Sequence, residues 1–359
     1  MKPLKTTLWM PSLAVLLLFT ACVKTAATGS TNKQDSTTGT HTDTTTTTPK
    51  TWVVSTIAGS GDRGYADGDS TNAEFNNPQF VAIDQQGNVL VSDVANQVIR
   101  MISSAGKVTT WTSDSIANLS TTSNVNPVFG NIFGLSVDSK NNLFLIDYGW
   151  IRKFSSPTSS SVFAGELLVG YTDGLGTAAD FQTLMHMTID RQDNLFVTDY
   201  DMNGVWQVRK ITPAGAVSTV QKQDNTNVNS NMASSSSWFD YAIAVDSAGN
   251  IYVGANSVIK KITPQGTVSI LAVGFSNITD MTCDAAGNLI VVDGPSCSIR
   301  KVTPDGTVTT IAGSLGQGFA DGPGATAKFL YPMGVAVAKD GTIYVVDAGN
   351  NRIRKIAAQ

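Results

Sequence analysis

The chain of 359 residues carries 24 Lys and Arg against 28 Asp and Glu, a formal net charge of −4, and is 42% hydrophobic but only 14% charged. That length supports one large core or two smaller ones, and the acidic balance offers no basic footprint for a nucleic-acid backbone. Three Cys and two His, at His41 and His186, exclude a disulfide framework, a structural zinc cluster and a three-histidine metal centre.

Taken from the start, Met1-Lys2-Pro3-Leu4-Lys5 is basic, Leu8 to Phe19 is apolar, and small residues lead into Cys22. Residues 1–21 therefore read as an export signal whose apolar part is too short to span a bilayer. Its end, Phe19-Thr20-Ala21-Cys22, resembles the lipobox of bacterial lipoproteins, with Phe19 where Leu is usual. The resemblance implies cleavage before Cys22, lipid attachment at its sulfur and anchoring by several acyl chains. Val23-Lys24 puts no Asp after the cysteine, which by the same resemblance points to the outer membrane of a Gram-negative bacterium, on its periplasmic or surface side. Residues 22–50 are rich in Thr and Ser and nearly free of large apolar side chains, and so are predicted to be a disordered tether. A flexible segment of that length reaches roughly 30 Å.

From residue 51 to 359 the pattern changes to short alternating runs rich in Val, Ile, Phe and Tyr, separated by Gly-Asn, Pro-x-Gly and Asp-Gly turns. One unit recurs six times, and its two key positions stand nine residues apart in every copy: 84 and 93, 138 and 147, 190 and 199, 246 and 255, 284 and 293, 338 and 347. Each copy is followed by a basic third run, such as Val98-Ile99-Arg100 or Ile353-Arg354-Lys355, then by a turn and a fourth run. The predicted fold is all-β: a six-bladed propeller of four-stranded antiparallel blades, about 51 residues each. The sixth copy has no fourth run, whereas Val54-Ser55-Thr56-Ile57-Ala58-Gly59 matches the fourth run Val308 to Gly313. The N-terminal strand is thus expected to complete the last blade and cover its edge.

These units also resemble NHL repeats, most closely in Pro332-Met333-Gly334-Val335-Ala336-Val337 and in Gly341 to Ile356, and the resemblance extends from about residue 52 to the end. It implies a six-bladed propeller as well. It implies no single activity, because NHL propellers act as binding platforms, sensor domains and, in some relatives, enzymes.

Strand order puts the connections from fourth to first strands and from second to third strands on one face. Asp93, Asp147, Asp199, Asp293 and Asp347 end second strands there and form a partial acidic circle, broken by Ala255. Such a circle could bind a ligand through sugar hydroxyls or a cation; alternatively each Asp caps its loop or pairs with the basic residue of its third strand. A motif recurs three times on the same face, as Gly64-Tyr65-Ala66-Asp67-Gly68, Gly170-Tyr171-Thr172-Asp173-Gly174 and Gly318-Phe319-Ala320-Asp321-Gly322. A Phe follows eight residues after each motif Asp. The motif reads either as a binding rim or as an Asp-Gly turn whose aromatics plug the gap between blades. Asp199, Asp201 and Asn203 begin like a calcium loop, but Lys210 stands where an EF-hand has its bidentate Glu. Calcium is accordingly the one cofactor considered, and otherwise none is expected. His186 opens a first strand, aligned with Phe80, Gly134, Ala242, Asp280 and Gly334, and reads as a packed residue. Trp150, Trp206 and Trp238 would suit sugar stacking if exposed.

The functional expectation is a lipid-anchored, monomeric, non-enzymatic binding scaffold that presents its loop-rich face to a glycan, protein or other envelope ligand, with no nucleic-acid partner. The alternative is a propeller hydrolase or lyase, lactonase-like or amidating-lyase-like, with a divalent metal in the channel. That chemistry needs metal ligands that a single folded-domain histidine and two glutamates, Glu74 and Glu166, scarcely provide.

Overall fold

The computed structural model describes residues 51–112, 132–147, 149–166, 169–200, 206–222, 242–313 and 316–359. The predicted export signal, Cys22, the predicted tether, Asp201, Asn203, Trp238 and residues 113–131 and 223–241 lie outside the described residues.

Six antiparallel sheets follow one another along the chain. Blade I comprises Pro78–Ile83, Val89–Asp93, Val98–Ile102 and Lys107–Thr110. Blade II comprises Ile132–Val137, Leu143–Asp147, Trp150–Ser156 and Ser159–Ala164. Blade III comprises Leu184–Ile189, Leu195–Tyr200, Trp206–Ile211 and Ala216–Lys222. Blade IV comprises Ala242–Val245, Ile251–Ala255, Val258–Ile262 and Val268–Val273, and blade V comprises Ile278–Cys283, Leu289–Asp293, Ser298–Val302 and Val308–Ala312. Blade VI takes Pro332–Val337, Ile343–Asp347 and Arg352–Ala358 from the C-terminus. Its fourth strand is Trp52–Ala58, paired antiparallel with Arg352–Ala358 from Trp52 opposite Ala358 to Ala58 opposite Ile353. The ring is therefore closed by hydrogen bonds between the first and last strands of the repeat region.

The first-to-second turns of blades I to V share one device, an Asp at the first key position that accepts two following N–H groups, whereas blade VI has Ala338 there. In blade I the Asp84 carboxylate accepts the N–H groups of Gln86 and Asn88, while Gly87 takes φ +82°, which a side chain would resist. The first strands pack against both neighbours all the way round and wall a central channel. Second strands such as Val89–Asp93, Leu143–Asp147 and Leu289–Asp293 are buried at every residue, because each lies between two sheets. This accounts for the small share of charged residues.

Three blades differ from the four-stranded expectation. Gly68–Asp69, Gly174–Leu175 and Gly322–Pro323 add a two-residue strand outside the fourth strand of blades I, III and VI. The Gly of each motif Asp-Gly thus opens a fifth strand instead of only closing a turn.

Candidate functional site

The acidic circle is turned into the blades. Arg100, Arg209 and Arg354, on the third strands of blades I, III and VI, have fully buried side chains, each held between two carboxylates. In blade I, Nη1 of Arg100 lies 3.0 Å from Asp93 and donates to the Glu74 carbonyl at 2.8 Å. Nη2 donates at 2.7 Å to both Asp67 and the Ala66 carbonyl. Blade III repeats the arrangement with Asp199 at 3.0 Å and Asp173 at 2.9 Å, and blade VI with Asp347 and Asp321, both at 2.6 Å. Beneath each guanidinium lies the Phe that follows the motif: Phe75, Phe181 and Phe329, with centroids 5.1, 5.0 and 5.0 Å away. The outer carboxylates are finished by a threonine. Thr110 N–H and hydroxyl donate to Asp67, Thr219 to Asp173 and Thr56 to Asp321.

Burial decides how the inner and outer acids differ. Desolvation pushes the Asp93, Asp147 and Asp347 carboxyls above the usual range, and Asp199 up to about 6, against the pull of arginine and N–H donors. At Asp67 and Asp173 desolvation acts the same way but is smaller. There the threonine and arginine hydrogen bonds together outweigh it and hold the groups below their ordinary value.

The remaining blades follow the pattern in part. Asp147 receives Arg152 Nε at 2.6 Å, and Asp293 stands 3.5 Å from Arg300. Blade IV has Lys260 in the arginine position and Ala255 in that of the aspartate. All five aspartates of the circle are buried and bound within their own blades. Both Asp199 oxygens are engaged, one by the Gln182 and Thr183 N–H groups and the other by Arg209, an arrangement that does not suit the head of a calcium loop. Of the tryptophans, Trp206 is buried and Trp150 lies beneath Arg152, whereas the motif aromatics Tyr65 and Phe319 are exposed to 57% and 46% over their arginines.

The channel holds a polar pair that the sequence pattern aligned but did not join. Five first strands carry a β-bulge two or three residues from their start, where Phe80, Gly134, His186 and Gly334 sit and where Asp280 directly follows. Bulges re-aim side chains, and these place His186 Nδ1 3.7 Å from Asp280 Oδ1. Asp280 Oδ2 accepts the Val335 N–H at 2.9 Å, tying blade V to blade VI, while Phe80 meets the His186 ring edge-on at 5.5 Å. His186 is buried and Asp280 keeps 16% of its side chain exposed. Both line a channel cavity of about 190 Å³ whose walls include Leu135, Met187, Met281 and Val335. Asp280 lies four residues before the key position Asp284, as His186 does before Asp190, so the repeat spacing aligns the two, but nothing in that spacing shows that they meet across the channel. Among the described residues no three His, Cys, Asp or Glu side chains converge as metal ligands.

Residues 329–356 match the NHL repeat family model, and the chain is a six-bladed β-propeller carrying that repeat. No curated protein matches the sequence. Among solved structures, a Bacteroides thetaiotaomicron protein of unknown function is 22% identical with a TM-score of 0.65, covering 86% of this chain and 76% of that one. An auxiliary nutrient binding protein from Bacteroides ovatus is 16% identical, with a TM-score of 0.62 and coverages of 86% and 77%. A gluconolactonase from Xanthomonas campestris is 12% identical, with a TM-score of 0.56 and coverages of 85% and 89%. At these identities the likeness is one of fold.

Proposed function

We propose that this protein is a lipid-anchored, non-enzymatic propeller of the cell envelope that binds a small polar ligand in its channel. The observation that carries the reading is the His186–Asp280 pair facing a channel cavity of about 190 Å³ whose open surface is more polar than apolar. Small-molecule sites are concave and carry a few convergent polar groups that orient the ligand, and a largely polar wall suits a ligand that is itself polar. A sugar suits it, since hydroxyls pair with imidazole and carboxylate while C–H faces rest on Met187 and Val335. The fold neighbour called a nutrient binding protein and the export signal with its lipobox favour the same reading.

The test is a thermal-shift titration with D-glucose, D-galactose, D-mannose and N-acetylglucosamine. At least one sugar should raise Tm saturably, and Asp280→Asn, with an unchanged circular-dichroism spectrum, should weaken that response about tenfold. If none of the four shifts Tm, or Asp280→Asn leaves the response intact, the channel reading fails.

A second reading, hydrolase or lyase, is favoured by the same pair, because a histidine oriented by a carboxylate can act as a general base. Hydrolysis of glucono-δ-lactone that disappears in His186→Ala would establish it. Equal rates with and without protein would remove that substrate.

A further inference from the structure

The Asp–Arg–Asp clamps of blades I, III and VI are carboxylate-binding seats that the chain fills with its own aspartates. Each consists of an arginine on the third strand and the threonine opposite it on the fourth: Arg100 with Thr110, Arg209 with Thr219, Arg354 with Thr56. Blade V has the same pair in the same register, Arg300 opposite Thr310. Blades II and IV do not, with Arg152 opposite Val162 and Lys260 opposite Ile270.

The other parts of the seat are also present in blade V. Asp293 ends the second strand. Phe275 lies three residues before the first strand, as Phe75, Phe181 and Phe329 do, with its ring centroid 5.7 Å from the Arg300 guanidinium. What differs is the connection. Residues 59–77, 165–183 and 313–331 lead into blades I, III and VI and bring the motif Asp, whereas blade V is entered through residues 274–277 alone. No motif Asp can therefore reach Arg300.

The consequence shows at the guanidinium. Arg100, Arg209 and Arg354 are fully buried, with two ion pairs each at 2.6–3.0 Å. Arg300 is 21% exposed, and among the described residues its one ion pair is with Asp293 at 3.5 Å. Its Nη2, which in the other three blades donates to the motif Asp, has no partner among the described residues. Thr310 is exposed beside it, at the register where its sister threonines offer both N–H and hydroxyl to a carboxylate.

We propose that Arg300 and Thr310 form a binding site for an external carboxylate on the loop-rich face of blade V. The ligand is a small organic acid, either a simple carboxylate or a sugar acid, whose two oxygens take the places that Asp67 takes on Arg100 and Thr110. Charge-assisted bonds from a guanidinium edge favour this planar anion over a spherical one. The site is separate from the channel cavity and does not depend on the channel reading.

The test follows the arginine side-chain Nε–H resonances of the full chain by NMR, assigned through Arg300→Gln, while acetate, D-glucuronate, D-glucose or chloride is added at matched ionic strength. Acetate or D-glucuronate should shift the Arg300 resonance saturably, and D-glucose and chloride should not. Thr310→Val, which keeps the side chain's shape at an exposed position, should weaken the response at least fivefold. A response to acetate alone would assign the site to simple acids, and one to D-glucuronate alone to sugar acids. No saturable shift with either acid, an equal shift with chloride, or an unchanged response in Thr310→Val would overturn the proposal.

Discussion

Asp199 and Asp173 share the guanidinium of Arg209 and experience opposite environments. Asp199 is fully buried, and desolvation lifts it to about 6; Asp173 is half exposed and is held below its ordinary value. Because the folded value for Asp199 exceeds its unfolded 3.8, the folded state binds the extra proton between these values, and this group's contribution to stability grows as pH falls through that window. Substituting Arg209 by Met removes the one cation paired with Asp199 among the described residues and leaves a buried charge, which costs about 3–5 kcal/mol. The loss in Arg209→Met should be largest above pH 7 and shrink below about pH 6, where the carboxyl is neutral. Urea melts of both proteins at pH 7.5 and pH 5 check this, and a loss independent of pH would mean that the ionised Asp199 is not what Arg209 serves. In the sequence the inner half of each clamp was visible, because Asp93 and Arg100 lie on adjacent runs of one repeat. The outer half was not: Asp67 stands 33 residues before Arg100, in a loop that only three blades share, and nothing local marks it as a partner. A partial signal was present, because each blade with the motif also has Thr opposite its arginine, although blade V has that Thr without the motif.

At the level of strands, the sequence was legible wherever the repeat repeated. The nine-residue spacing located all six second strands, and the missing fourth run of the last copy located the closing strand, since both follow from period-two burial and from the need to cover an edge. The fifth strands were not legible: two residues are too few to show alternation, and Gly68–Asp69 pairs with Val108 and Lys107 only because the clamp pulls its loop there. Closure carries a direct expectation. Trp52–Ala58 buries Val54 and Ala58 between blades and supplies Thr56 to the Asp321 seat. A protein beginning at residue 59 loses this strand and exposes the whole of Arg352–Ala358 as an edge, with Ile353 and Ile356 beside it. Compared with a protein beginning at residue 51, it should elute from size exclusion as aggregate or show a Tm lower by 10 °C or more, since two or three buried apolar side chains contribute about 1.5–3 kcal/mol each. Equal elution and equal Tm would show that the ring does not need its first strand.

Over the whole molecule, the ring is a rigid support made by repetition, and individuality enters where repetition fails: at Asp280, at the short connection into blade V, and in the segment that precedes Trp52. That segment holds the anchoring proposed at Cys22. Among the described residues the ring's closing bonds begin at Thr51, whose carbonyl accepts the Gln359 N–H, and none of the strand pairings described there includes Cys22. Cys22→Ser should therefore separate location from fold. In a Gram-negative host the wild-type protein should fractionate with outer membranes and incorporate labelled palmitate, because multiple acyl chains hold a protein far more firmly than one. Cys22→Ser should lose the label and leave the outer-membrane fraction, and its Tm in detergent should stay within about 1 °C of wild type, as substitutions away from the core usually do. Palmitate incorporation that persists in Cys22→Ser would move the anchor elsewhere. A Tm lowered by several degrees would mean that the segment before Trp52 contributes to the ring as well as to its attachment.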